Sequence, residues 1–183
     1  MHLHTSYSLD AYIFGNTLND PFLAYRFAQG EEVDLPVGAN TPAPTFAAFA
    51  MRDPNSAPLA KLQIVKGWTE GDKLNEMTFD IACSDGATPD LKSHRCPDNG
   101  ASVDLSSCKI STNSGASELA ILWTDPAFEP DERALYYLRV LENSVCRWSM
   151  YDAKAAGVEH PSELPKTIKE RAWTSPIWFT PRT

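Results

Sequence analysis

With 183 residues, 43% of them hydrophobic, the chain is long enough for one domain, or one domain with an appendage, around a core of its own. Its 24 acidic against 16 basic side chains leave a net charge of −8 and no basic run to neutralise a phosphate backbone, so nucleic acid is not expected as a partner. The longest small-apolar run, Pro44 to Met51, falls far short of the roughly 20 residues that cross a bilayer, and no membrane span is expected.

The chain opens on Met1-His2-Leu3-His4-Thr5-Ser6-Tyr7-Ser8-Leu9-Asp10. Two imidazoles two positions apart on an extended segment point to one side and can grip one cation, which hints at a metal-dependent hydrolase. Such a site needs about three or more protein ligands and an open position for water, whereas His94 and His160 sit in segments with no ligand spacing. Asp10 suits a turn or a cap. The start has no charged n-region followed by an apolar h-region, so a signal peptide of an exported protein would lie outside this sequence.

Asn19-Asp20-Pro21 followed by Phe22, Leu23, Tyr25, Arg26 and Phe27 reads as a capped short helix closed by Gly30. Glu31 to Pro44 then carries three prolines and a glycine that deny regular structure, and a boundary near residue 34 divides the chain into 1–33 and 34–183. Beyond it come seven strand-like runs: Thr45–Met51, Leu62–Trp68, Met77–Cys83, Ser102–Ile110, Glu118–Trp123, Ala134–Leu141 and Trp173–Phe179. Thr69-Glu70-Gly71-Asp72-Lys73 suits an antiparallel hairpin between the second and third. Ser149 is expected to cap a helix over Met150–Ala156 that stops at Gly157.

Four cysteines, Cys83, Cys96, Cys108 and Cys146, contain no Cys-x-x-Cys pair, which removes zinc ribbons and redox motifs. Three fall in a loop-rich stretch that a covalent staple would help, so disulfides and an oxidising compartment, periplasmic or extracellular, are favoured over buried free thiols; all three connectivities stay open. The scattered acids Asp80, Asp85, Asp90, Asp98 and Asp104 do not have calcium-loop spacing and read as a solvated acidic loop. Trp68, Trp123, Trp148, Trp173 and Trp178 are read as core or sheet-face anchors rather than a ligand groove, and Arg139 and Arg147 as ordinary donors. No Gly-x-Ser-x-Gly elbow, phosphate-binding Gly-rich loop, His-Glu-x-x-His or Gly-x-Gly-x-x-Gly is present.

Asp131-Glu132-Arg133-Ala134-Leu135-Tyr136-Tyr137-Leu138 resembles the immunoglobulin-type tyrosine corner, with Tyr136 bonding back to upstream backbone, although two tyrosines in a half-buried strand need no special role. The expected class is therefore mainly β with short helices: an immunoglobulin-like antiparallel β-sandwich over the C-terminal region.

The opening His2 to Asp10 stretch also resembles the first motif of the PHP superfamily (polymerase and histidinol phosphatase), distorted β/α barrels that bind metal ions for hydrolytic chemistry. More closely, the chain resembles the bacterial domain-of-unknown-function family 3604, whose members carry a PHP-like barrel. The carriers are Asp10-Ala11-Tyr12 through Ala24-Tyr25-Arg26-Phe27-Ala28, then Gln63-Ile64-Val65-Lys66-Gly67-Trp68, Trp123-Thr124-Asp125-Pro126, Tyr136-Tyr137-Leu138-Arg139-Val140-Leu141-Glu142 and Glu170-Arg171-Ala172-Trp173-Thr174-Ser175-Pro176-Ile177-Trp178. The resemblance implies that His2, His4 and Asp10 fall on metal-ligand positions for Zn, Mn or Fe. It also implies that the stretch holding most of the barrel and its later ligand motifs is absent here, with the two ends fused near Asp34 and residues 1–33 an N-terminal barrel remnant.

Two functions follow from different classes. One is a truncated, non-catalytic member of a metal-dependent hydrolase family, dominated by a β-rich accessory domain and self-associating through the surface that formerly met the barrel. The alternative is an active metal-dependent (phospho)ester hydrolase using His2 and His4 as ligands.

Overall fold

A computed structural model describes residues 43–71 and 73–181. Within them the chain runs β1 (Thr45–Met51), β2 (Leu59–Glu70), β3 (Lys73–Cys83), β4 (Val103–Asp104), β5 (Lys109–Ile110), β6 (Glu118–Thr124), β7 (Ala134–Cys146), α1 (Trp148–Ala156), β8 (Thr167–Trp173) and β9 (Ile177–Phe179). Every strand pairing is antiparallel, so the mainly β expectation holds, with one short helix among the described residues.

The expected hairpin forms between β2 and β3, closed at the Glu70↔Lys73 pair with Gly71 at φ 59°, a backbone region that glycine enters without steric cost. β7 lies on the other edge of β2, and the far edge of β7 is shared by β9 at Ala134–Tyr136 and by β8 at Arg139–Cys146, which makes a five-stranded sheet. The break between β8 and β9 spans Thr174-Ser175-Pro176, where proline removes a ladder donor. The single run expected over Trp173–Phe179 is thus two strands, and the run expected over Ser102–Ile110 is the two-residue strands β4 and β5 around a turn.

β1 and β6 form a separate two-stranded ribbon in continuous register from Thr45↔Thr124 to Met51↔Glu118. Its inner positions, Phe46, Ala48, Leu119 and Trp123, join Leu62, Ile64, Phe79, Ile81, Ala134 and Tyr136 of the large sheet in one core. Alternation selects these residues: on β2, Leu62, Ile64 and Trp68 occupy every second position and face the ribbon. Phe79 packs its ring 5.2 Å from Trp123, and Phe46 lies 4.8 Å from Tyr136.

The cysteines pair as Cys83–Cys96 and Cys108–Cys146, which settles one of the three open connectivities. The first clips the end of β3 to the following loop, and the second ties the β4–β5 excursion to the end of β7 beside Met150 of α1. The helix begins two residues earlier than expected. Arg147 occupies its N-cap without a side-chain bond, and Ser149 lies inside the helix with its hydroxyl bonded to His160 Nε2 at 2.9 Å; Gly157 closes it in the left-handed conformation as anticipated.

Candidate functional site

Lys66 occupies the one position of the inner β2 series Leu62-Ile64-Lys66-Trp68 where an apolar residue is expected and a charge is found. Its side chain is only 3% exposed, and its Nζ sits 2.7 Å from Oδ2 of Asp125, a carboxylate with no solvent exposure. The same ammonium donates to the Ala127 carbonyl and lies 5.5 Å from the Trp68 ring centre and 5.8 Å from that of Tyr136.

Asp125 sits just past the end of β6, anchored by its own N–H to the Pro44 carbonyl. Its Oδ1 accepts from Ala127 N–H at 2.9 Å and its Oδ2 from the Tyr136 hydroxyl at 2.7 Å. Tyr136 is therefore bound back upstream, but to a carboxylate and not to backbone as the corner motif requires; the acid eleven residues earlier is the better acceptor for a buried phenol. Burial raises the phenol above its ordinary range, and the hydrogen bond to Asp125 and the Asp125 charge raise it further.

A second polar knot lies on the opposite face of β2 and β3. Asp80, whose side chain has no exposure, accepts from Lys61 at 2.7 Å, from Gln63 and from Cys96 N–H at 2.8 Å, with Arg95 at 3.5 Å; Gln63 in turn accepts from Arg139 at 2.8 Å. The solvated-loop reading of the acids is corrected here, because loop 84–99 folds back over the sheet and supplies Cys96 N–H and Arg95 to a buried Asp80. The other acids fit it: Asp90 and Asp104 accept from the backbone of their own turns at the surface, and Asp104 is lowered to about 2 by the hydroxyls of Ser107 and Ser106. Burial raises the Asp80 carboxyl, but the bonds from Lys61, Gln63 and Cys96, with the Lys61 charge, outweigh it and hold it below the usual carboxylate range. Folded Asp80 thus binds a proton less readily than unfolded Asp80, so it stabilises the lobe above the unfolded value of 3.8 and that stability is lost as pH falls through the folded value. Urea unfolding between pH 6 and about pH 2 should therefore show an acid-side decline that is shallower in Asp80→Asn; equal slopes would remove Asp80 from the acid sensitivity.

The Lys66–Asp125 knot is sealed, whereas the Asp80 knot reaches the surface at Lys61 and Arg95. One open depression lies over loop residues such as Pro89, Leu91 and Arg95, and a smaller one between Arg147, Trp148, Ser149, Leu164, Ile168 and Glu170. Ser149 and His160 meet beside the smaller one, but His160 Nδ1 is buried without a partner, so the orienting acid that a nucleophilic serine relay uses is missing there. Of the tryptophans, Trp68 and Trp123 pack against the core as expected, whereas Trp148, Trp173 and Trp178 are 80%, 67% and 54% exposed; the anchor reading is corrected for these three, which sit on α1, β8 and β9 at the far edge of the large sheet. Arg139 is the ordinary donor expected of it.

His2, His4 and Asp10 lie outside the described residues. Among those described, no three His, Cys, Asp or Glu side chains gather to hold a metal ion. No described helix is long and apolar enough to cross a membrane.

What the first knot joins is informative in another way. Lys66, Asp125 and Tyr136 come from three separate motifs, Gln63–Trp68, Trp123–Pro126 and Tyr136–Glu142, and the fold brings them to one point. A family model described as "Protein of unknown function (DUF3604)" matches residues 1–42 and 34–181. The chain belongs to the DUF3604 family. The match falls in two blocks that overlap over residues 34–42, the segment where composition places the boundary. No curated protein and no solved structure matches this DUF3604 chain. The buried Lys66–Asp125 pair was missed from sequence, though one signal for it is present: a lysine in phase with Leu62 and Ile64 on an otherwise apolar strand face.

Proposed function

We propose that the chain is a shortened DUF3604 protein, in which a PHP-type metal-dependent hydrolase barrel is reduced to its first motif and the β-rich lobe is a non-catalytic packing domain. On this reading the lobe descends from an immunoglobulin-like sandwich that lies against the barrel in longer members, and the protein works in the periplasm or outside the cell. The observation that carries it is the use made of the shared motifs: Lys66 and Asp125 are buried against each other and Arg139 donates to Gln63, so these groups are spent inside the lobe. The two disulfides support an oxidising compartment.

Two imidazoles and a carboxylate from His2, His4 and Asp10 are the donor chemistry that suits Zn, Mn or Fe, and these residues would hold such an ion. Bound there, a cation would polarise an ester and lower the pKa of a water. Three donors are a minimal set, and the lobe contributes no further cluster among the described residues. The lobe is also expected to self-associate through the apolar surface that a barrel would otherwise cover.

Metal content by mass spectrometry, with turnover of simple phosphoesters, tests the reading on the parent chain and on His4→Ala. The expected result is substoichiometric metal and no turnover that His4→Ala abolishes. One tightly bound ion per chain, with activity lost in His4→Ala, would establish the active hydrolase instead.

A further inference from the structure

Asn99-Gly100 is the single Asn-Gly pair in the sequence. Glycine after asparagine leaves the next backbone nitrogen unshielded, so in a free chain that nitrogen reaches the asparagine side-chain carbonyl at little steric cost. Asn99 itself is half-buried, while Asp98 and Gly100 on either side of it are exposed.

The fold engages both hydrogens of the Asn99 amide. Nδ2 donates to Ser84 Oγ at 3.0 Å, just past β3, and to Asn143 Oδ1 at 2.9 Å on β7, while Oδ1 accepts from Ala101 N–H at 3.2 Å. Gly100 N–H, on the nitrogen that would attack, donates to Asp98 Oδ1 at 3.1 Å. Ring closure therefore needs the Asn99 side chain to leave two other segments. Departure of Nδ2 as ammonia also needs a proton donor, and both of its contacts are acceptors.

An amide, and not a carboxylate, suits this junction. The Ser114 carbonyl only accepts, so Asn143 turns Nδ2 toward it at 3.0 Å and leaves Oδ1 facing Asn99; Ser84 commits its hydrogen to Asp85 Oδ2 at 2.8 Å. Residue 99 must donate twice. A carboxylate there meets two acceptors with no hydrogen to offer, and turning the Asn143 amide over would only move the mismatch to Ser114. Ser84 and Asn143 are each 3% exposed, so water does not readily take the place of the lost bonds.

We propose that Asn99-Gly100 is a fold-gated deamidation site, held unreactive in the closed lobe and converted once residues 97–101 come away from Ser84 and Asn143. In the step, Gly100 N bonds to Asn99 Cγ and gives up its proton to water, the Cγ–Nδ2 bond breaks and ammonia leaves. Water then opens the cyclic imide at either carbonyl, leaving aspartate or its isoaspartyl isomer. Either product carries a carboxylate where two donors are required, so a chain that has opened is marked and does not close as before; a reversible opening becomes one-way.

Peptide mass spectrometry at mildly alkaline pH, following the exchange of amide for acid at residue 99, tests it on the parent chain folded and in concentrated urea with its disulfides intact. Conversion at Asn99 is expected in urea and at a rate lower by roughly tenfold or more in the folded chain. Asn113, exposed and followed by serine, should differ much less between the two conditions. Gly100→Ala should slow conversion in urea, where its effect on the fold is immaterial, because the added methyl group crowds the attacking nitrogen. Asn99→Asp should unfold at a lower urea concentration than the parent or fail to fold. Aged parent chain should lose refolding yield in step with its converted fraction, a reading that needs no variant. No conversion in urea, or no slowing in Gly100→Ala, removes the site. Equal rates at Asn99 in the two conditions, or protection at Asn113 as large as at Asn99, overturns gating by the junction. An Asn99→Asp chain as stable as the parent, with aged parent refolding fully, overturns the one-way step.

Discussion

Asp125→Ala should destabilise the lobe by about 3–5 kcal/mol, the range for removing one partner of a buried ion pair. The substitution leaves the Lys66 ammonium at 3% exposure with the Ala127 carbonyl as its remaining acceptor and takes from the Tyr136 hydroxyl and Ala127 N–H the acceptor each uses. The cost comes from the stranded charge and not from the worth of the pair, so removing all the polar groups together should behave differently. Lys66→Met with Asp125→Leu and Tyr136→Phe keeps volume while leaving no buried charge, and it should recover most of the loss. Urea denaturation followed by tryptophan emission measures both, with unchanged m-values required for the comparison. If Asp125→Ala costs under about 1 kcal/mol, water reaches Lys66 in the folded lobe and the knot is not the sealed structure described. If the triple variant is as unstable as the single, the pair itself is net stabilising.

The strands read from sequence were those whose apolar alternation is undisturbed. Thr45–Met51 is found with the boundaries its pattern gives, and Glu118–Trp123 is extended by one residue. The apolar run ends at Leu141, before the polar Glu142-Asn143-Ser144, yet β7 runs on to Cys146. Asn143 is buried there, donating to the Ser114 carbonyl at 3.0 Å and accepting from Asn99 at 2.9 Å, so its polar groups are satisfied by loops far away in sequence. The same limit explains Asp80 and Lys66. A charge in a strand looks solvated until the fold delivers its partner, and those partners arrive from 16 to 59 positions away in Cys96 and Asp125. Cysteine pairing was illegible for a related reason: spacing does not report which loops return to which strand ends. The metal-ligand candidates His2, His4 and Asp10 were legible as chemistry, and they fall in the first block of the family match.

Loss of the Cys108–Cys146 disulfide should cost the lobe about 3 kcal/mol and should loosen one place first. Closing a separation of 38 residues restricts the unfolded chain by about 4 kcal/mol in the chain-entropy account. Against this, Cys108 is held at φ 56°, a left-handed conformation that a non-glycine residue leaves on release, returning about 1 kcal/mol. The segment it anchors has little else: β4 and β5 share only the Val103↔Ile110 and Asp104↔Lys109 pairs, and two-stranded hairpins are marginal alone in water. Lys154 of α1 does donate to the Ser106 carbonyl, but at an exposed site where one such bond contributes little. In Cys108→Ser/Cys146→Ser, protease cleavage should therefore appear within residues 103–110 before the large sheet opens, and denaturant melts should show the lowered midpoint. The shorter Cys83–Cys96 clip, with a separation of 13, is worth about 3 kcal/mol by the same reckoning, but its loop is also fixed through Cys96 N–H to Asp80 and His94 carbonyl to Asp80 N–H. Cys83→Ser/Cys96→Ser should consequently lose stability without a new early cleavage site in the loop, and cleavage there as early as in 103–110 would show that the Asp80 bonds do not hold it.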